Sequence, residues 1–165
     1  AYKPCECAFM HWGFWAAGLN EPGALSNSLS DIGTFFAGTA TPDIDMPISG
    51  SANYVGKAYA SMVTPGNSSP VFSTGIFTLN TNFQTGISVG NMSLGQQDFD
   101  VEGAHDAVGN SSLRVNYFQD LVNVGTGDGA FFGSGANAAQ NVGVTIDIDN
   151  GDGLTAAGAA VAERK

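Results

Sequence analysis

The sequence predicts an all-β fold: a single antiparallel β-barrel of about eight strands with an aromatic N-terminal segment. Three observations carry this expectation. Twenty-three glycines, several of them bordering short apolar runs, form a background that breaks helices and suits strands, bulges and tight turns. In several segments apolar residues recur at every second position, the period of a half-buried strand. Turn signals punctuate those segments at hairpin spacing, and closing the hairpins into a barrel removes exposed edges.

Taken in order, the run Phe9 to Ala17 is dense in aromatic side chains and reads as a strand. Ser28 to Phe36 has the spacing of a short helical turn, interrupted by Gly33. From Ala52 to Met62, the residues Ala52, Tyr54, Gly56, Ala58, Ala60 and Met62 share one face, while Ser51, Asn53, Lys57 and Ser61 share the other. The turn Thr64-Pro65-Gly66-Asn67 leads to a strand through Gly75, Phe77, Leu79 and Phe83, and Ile87 with Val89 follows beyond Gly86. Phe99 and Val101 alternate with Asp98, Asp100 and Glu102. After a turn at Gly109-Asn110, Leu113, Val115 and Tyr117 alternate with Ser112, Arg114 and Asn116. A short apolar run spans Gly129 to Gly133, and Val142, Val144, Ile146 and Ile148 give the cleanest alternation of all. The turn from Asp149 to Gly153 returns the chain to a last strand through Ala159 and Val161, in an Ala-rich tail that is the other stretch with some helical character. With no internal repeat or linker, one structural domain is expected. Residues 1–49 supply an aromatic strand and connecting loop packed on the barrel, and residues 50–165 supply the barrel itself.

Charge narrows the partners. Five basic against fifteen acidic residues give a formal charge of −10, a field that repels phosphate backbones and anionic lipid head groups. Nucleic acid is excluded as an expected partner. No run of about 18 apolar residues is present, so no membrane-spanning helix is expected in this chain. Ala1 begins the sequence and no basic-then-apolar leader follows it, the expectation for a processed or excised domain.

Several clusters are candidates for chemistry. Cys5, Cys7 and His11 offer two thiolates and an imidazole to zinc or copper, but without the second paired cluster that structural zinc sites use. Trp12, Phe14 and Trp15 could form a wall for a flat apolar ligand such as haem; ordinary core duty, plugging a barrel or covering its open end, is the competing role. Asp147, Asp149 and Asp152 lie in a run resembling a calcium loop. Gly151 stands there at the fifth position and Asp152 at the sixth, where an EF-hand needs the reverse, so a hairpin turn explains the run more simply. Asp98, Asp100 and Glu102 read as a solvated strand face. For catalysis, His11 and His105 are the only histidines and neither sits in a nucleophile motif. His105 and Asp106, being adjacent, would point to opposite faces of a strand. No enzyme is expected.

Three segments, in order, resemble the β-barrel domains of transferrin-binding-protein-B-like surface proteins of Gram-negative bacteria. The first is Gly50-Ser51-Ala52-Asn53-Tyr54-Val55-Gly56, similar to that family's Gly-x-Ala-x-Tyr-x-Gly strand. The second is Gly129-Ala130-Phe131-Phe132-Gly133, followed by Ala136-Asn137-Ala138. The third is the closing segment Ala157 to Lys165. Gln140 and Asn141 stand where the family carries an acidic residue and Gly, and Ala160 and Ala162 also depart from its pattern. The resemblance therefore implies a fold and an outer-surface or secreted location, and transfers no contact residue. It implies a non-catalytic module for a host protein, haem or a metal carrier, with calcium or haem as the conceivable cofactors. The alternative is a structural subunit or terminal domain of an adhesin, filament or matrix, working by self-assembly.

Overall fold

The computed structural model describes residues 7–19, 28–67 and 69–165. Ten strands run through them. β1 (Met10–Leu19) and β2 (Ser28–Gly38) form a two-stranded antiparallel sheet. β3 (Ser51–Val63), β4 (Val71–Asn82), β5 (Ile87–Leu94), β6 (Gln97–His105), β7 (Ser112–Gln119), β8 (Val122–Phe132), β9 (Asn141–Asp149) and β10 (Thr155–Arg164) follow. These eight close an antiparallel barrel, each pairing with its sequence neighbour and β10 returning to β3. No helix among the described residues is long and apolar enough to cross a membrane.

Alternation decides which side chains fill the barrel. On β3, Ala52, Tyr54, Ala58, Ala60 and Met62 are all buried in one core cluster with Phe77, Phe99, Val115, Tyr117 and Ile146 of other strands. Tyr54, Phe77, Phe99, Val115, Tyr117 and Ile146 are at most 2% exposed. Side chains so closely surrounded fill the barrel and leave no ligand calyx beside them. Their polar ends are satisfied: Tyr117 Oη donates to the Thr145 carbonyl at 2.7 Å, and the Thr81 and Ser88 hydroxyls meet at 2.8 Å.

The segment between β2 and β3 closes one barrel end. Ala40 bridges to Phe132, Thr41 N donates to Phe131 O at 2.8 Å, and Met46 is buried in the core cluster. There, Tyr54 Oη donates to the Ala139 carbonyl at 2.7 Å and its ring lies 5.5 Å from that of Phe131. His105 stacks on Phe131 at 5.0 Å, its Nδ1 2.9 Å from the Asn110 carbonyl.

One sequence expectation is corrected. Ser28 to Phe36 is not a helical turn but part of β2, where Phe36 stands opposite Trp12 and Gly33 opposite Trp15. A ladder of backbone hydrogen bonds with an aromatic cross-strand face outweighs local spacing. The Ala-rich tail is wholly strand, because small side chains let β10 lie closely between β3 and β9. In addition, the apolar run at Gly129 is only the end of a longer β8. That strand begins after a two-residue turn at Asp120 and Leu121, with φ of 51° and 67°, a mirror-image hairpin turn built without the Gly or Asn that usually announces it.

Candidate binding surface

The aromatic segment forms a sheet with two distinct faces. Along β1, Met10, Trp12 and Phe14 share one face and His11, Gly13 and Trp15 the other. The first face lies on the outer wall of the barrel. Trp12 stacks on Tyr59 of β3 with centroids 4.9 Å apart and planes 8° from parallel. Tyr59 in turn stacks near Phe72 of β4 at 6.4 Å, and Phe14 tilts against Phe72 at 5.2 Å. Phe36 meets Phe132 of β8 edge-on at 6.0 Å. Met10, Tyr59, Phe132 and Val161 are the buried residues of this second cluster, separate from the barrel interior. Each such ring pair adds about 0.5–1.5 kcal/mol beyond the area it buries.

Gly143 of β9 is the seat. A Cβ there would lie 2.7 Å from Phe36 Cδ2 and 2.8 Å from Met10 Cε, so the sheet can approach the wall only where no side chain intervenes. Gly143→Val is expected to lift β1 and β2 while the barrel, whose interior Gly143 does not face, keeps its far-ultraviolet signal. A red shift of tryptophan fluorescence checks this; an unshifted spectrum would count against the seat.

The second face is open. Trp15 lies across Gly33, whose Cβ would meet the indole at 2.3 Å, and Phe35 lies across Gly13 at 2.9 Å. Each aromatic ring thus covers a cross-strand glycine, the arrangement that compensates glycine within a strand. The rings nonetheless remain 55% (Trp15) and 47% (Phe35) exposed. Two large, half-exposed aromatic rings on a face that no other element among the described residues covers are what a docking surface requires.

The remaining sequence candidates are placed as follows. Trp12, Phe14 and Trp15 do not converge: the first two face the barrel wall and Trp15 faces away, so they do not line one pocket. They cover the wall, not the open end. Cys7 is disulfide-bonded, which removes its thiolate as a metal ligand; Cys5 lies outside the described residues. His11 is exposed on the open face. Asp147 and Asp149 are exposed on β9 and Asp152 lies in the turn after it. Asp149 Oδ1 already accepts from Gly151 N at 2.9 Å, and Asn150 Oδ1 from Asp152 N at 2.9 Å, so the run is an Asx-braced hairpin. Among the described residues no cluster of three or more His, Cys, Asp or Glu is arranged to hold a metal ion. Phe35, Phe36, Tyr59 and Phe72 escaped the sequence reading of the site. Their signal was a lone aromatic residue on the mostly polar outer face of β3, where Tyr59 is 4% exposed.

Fold and surface together define a class: an eight-stranded antiparallel barrel with a two-stranded sheet laid on its wall. Solved structures of transferrin binding protein B share this chain's fold over about a third of their length. The chain superposes on that protein from Haemophilus parasuis Hp5 with a TM-score of 0.69 and 16% identity, over 96% of this chain and 33% of the other. For the isotype 1 protein of serogroup B Neisseria meningitidis the values are 0.61, 16%, 97% and 36%. A structure described as a surface lipoprotein matches with 0.61 and 11%, over 95% of this chain and 76% of the other. The chain thus spans about a third of the transferrin binding proteins it matches. The sequence matches no family model and no curated protein. At these identities the likeness establishes the fold, which is the fold that the three sequence segments imply.

Proposed function

We propose that the chain is a non-catalytic binding module displayed outside the cytoplasm, at an outer-membrane surface or secreted, and that it engages a protein partner through the open face of β1 and β2. The observation that carries this reading is the exposure of Trp15 and Phe35 on a face whose opposite side is held on the barrel by four aromatic rings. The shared fold with a surface lipoprotein and with transferrin-binding proteins supports the location and the class of partner. Side chains fill the barrel, which directs binding to the outside.

The second reading, self-assembly, is favoured by the two unpaired edges of a two-stranded sheet, which offer backbone hydrogen bonds to another strand. One experiment separates them. A photoreactive phenylalanine analogue placed at Trp15 or Phe35, in cells of the source, is expected to cross-link a different protein. A covalent dimer of the chain would favour assembly. Cross-linking no more efficient than from the control position Asp147 would reject this face as the docking surface.

A further inference from the structure

A second surface lies on the wall over β4 to β7, beyond the residues on which β1 and β2 pack. The β4–β5 ladder stops at Phe77 opposite Met92, and the β6–β7 ladder stops at Asp100 opposite Phe118. Beyond those points the regular ladders give way to irregular contacts. β5 stays against β4, Gly95 N donating to Thr74 O at 3.3 Å and Ser93 Oγ accepting from Ile76 N at 3.0 Å, and between β6 and β7 Gln119 Nε2 donates to Gln97 Oε1 at 2.8 Å. An outer groove of about 610 Å³ lies over this region, lined among others by Ile76, Asn91, Asp98, Asp100, Phe118 and Asp120. That volume lies in the range of sites that hold a side chain or small ligand.

Its chemistry is one-sided. Asp98 and Asp100 point the same way from β6, and Asp120 comes from the β7–β8 turn. None of these carboxylates belongs to an ion pair among the described residues, where the pairs are Arg114 with Asp128 and Lys165 with Glu163. Two amide donors are engaged within the groove, Asn91 Nδ2 donating to Asp100 Oδ1 at 2.8 Å and Gln119 to Gln97; the amides of Gln96 and Gln97 also line it. The three carboxylates outweigh these donors, beside a flat ring, since Phe118 is the cross-strand neighbour of Asp100. A neutral polyol would leave that charge unanswered. A planar cation with several N–H groups needs only acceptors and a ring to lie on.

We infer that this groove receives an arginine side chain of a partner protein, the guanidinium bonding to Asp98 and Asp100 and packing on Phe118, with Ile76 against its methylenes. Arginine is favoured over lysine because a compact ammonium neither forks across two acceptors nor stacks. The net charge of −10 adds attraction for a basic segment. This inference is independent of the docking role of Trp15 and Phe35, which lie on other strands.

The probe is an acetylated, amidated tetra-arginine peptide titrated at low salt into the isotopically labelled chain, with the tetra-lysine peptide as comparison. Amide shifts are expected to concentrate on Ser93, Asp98, Asp100 and Phe118. Asp98→Asn with Asp100→Asn should weaken binding at least about tenfold, the scale of lost charge-assisted hydrogen bonds. Phe118→Ala should weaken it by roughly threefold. The pair Asp147→Asn with Asp149→Asn removes the same charge elsewhere on the wall and should leave affinity within a factor of about two. Equal losses in the two charge-matched pairs, equal binding of the lysine peptide, or no saturable shift at millimolar peptide would each overturn the inference. All five substitutions lie on the outer wall, and amide spectra of the free variants report that they remain folded.

Discussion

Gly56→Val is expected to destabilise the barrel by about 3 kcal/mol or more, because it prevents the first and last barrel strands from closing. A Cβ on Gly56 would lie 2.0 Å from the Val161 carbonyl oxygen and 2.5 Å from Ala162 Cα. Both atoms belong to the backbone of β10 and cannot swing away as a flexible side chain would. The contact is reciprocal, since a Cβ on Gly158 of β10 would lie 1.9 Å from the Tyr59 carbonyl oxygen of β3. The β3–β10 ladder joins opposite ends of the barrel sequence, so it carries the largest loop-closure cost and fails first when its spacing is forced apart. A thermal melt should fall by roughly 10 °C. Ala157→Val, on the exposed face of the same strand, should melt with the parent chain. A Gly56→Val barrel that does so too would refute this account of closure.

Tyr54→Ala is the second large effect, expected to cost about 3–5 kcal/mol through the cavity it leaves among fully buried neighbours. Tyr54→Phe isolates the hydroxyl. It keeps the ring against Phe131 but leaves the Ala139 carbonyl without its donor, and should cost about 1 kcal/mol. The hydroxyls also set an alkaline limit. Burial raises the Tyr54 phenol well above its ordinary value, with Arg164 opposing weakly, and burial raises Tyr117 likewise. A folded-state pKa above the unfolded one means that the contribution is fully present below about pH 10 and is lost as the pH rises from there toward the folded values. Denaturant midpoints measured between pH 8 and pH 11 should therefore fall on the alkaline side, and less steeply in Tyr54→Phe. Parallel pH profiles for the two chains would show that Tyr54 does not ionise on unfolding.

The same residues explain why the three family-like segments resemble the barrel they do. Tyr54 of the first bonds to Ala139, just beyond the Asn-Ala of the second, and its ring meets Phe131 within the second. Gly56 of the first touches Val161 and Ala162 of the third. Segments far apart in the chain meet at one end of the barrel and along its closing seam. A substitution in one of them, such as Ala160 or Ala162, still serves closure provided that the side chain stays small.

Much of the fold was legible in the residues themselves. Period-two alternation identifies β3, β7 and β9 and assigns their inward faces, because in a strand the side of each residue follows from its position alone. The lack of a long apolar run likewise matches the described residues, in which no helix is long and apolar enough to cross a membrane. The turn at Asp120 and Leu121 was not legible, since Leu121, a residue with no turn preference, takes the second position that glycine usually fills, under the pull of the flanking strands. Nor was β2, whose partner β1 lies across an intervening segment.

For the surfaces, the sequence by itself determined which residues are aromatic, which are acidic and that they alternate. It marked Trp12, Phe14 and Trp15 as one cluster and Asp98, Asp100 and Glu102 as one solvated face. Tertiary structure decided what each meets. Pairing with β2 set Trp12 against Tyr59 and the edge of Phe14 against Phe72, with Trp15 on the other face, and the end of the regular β4–β5 and β6–β7 ladders left the groove beside Asp98 and Asp100. The reason is physical: alternation along a strand is a local property, whereas the occupant of the space opposite a side chain is set by register and closure between strands far apart in the chain.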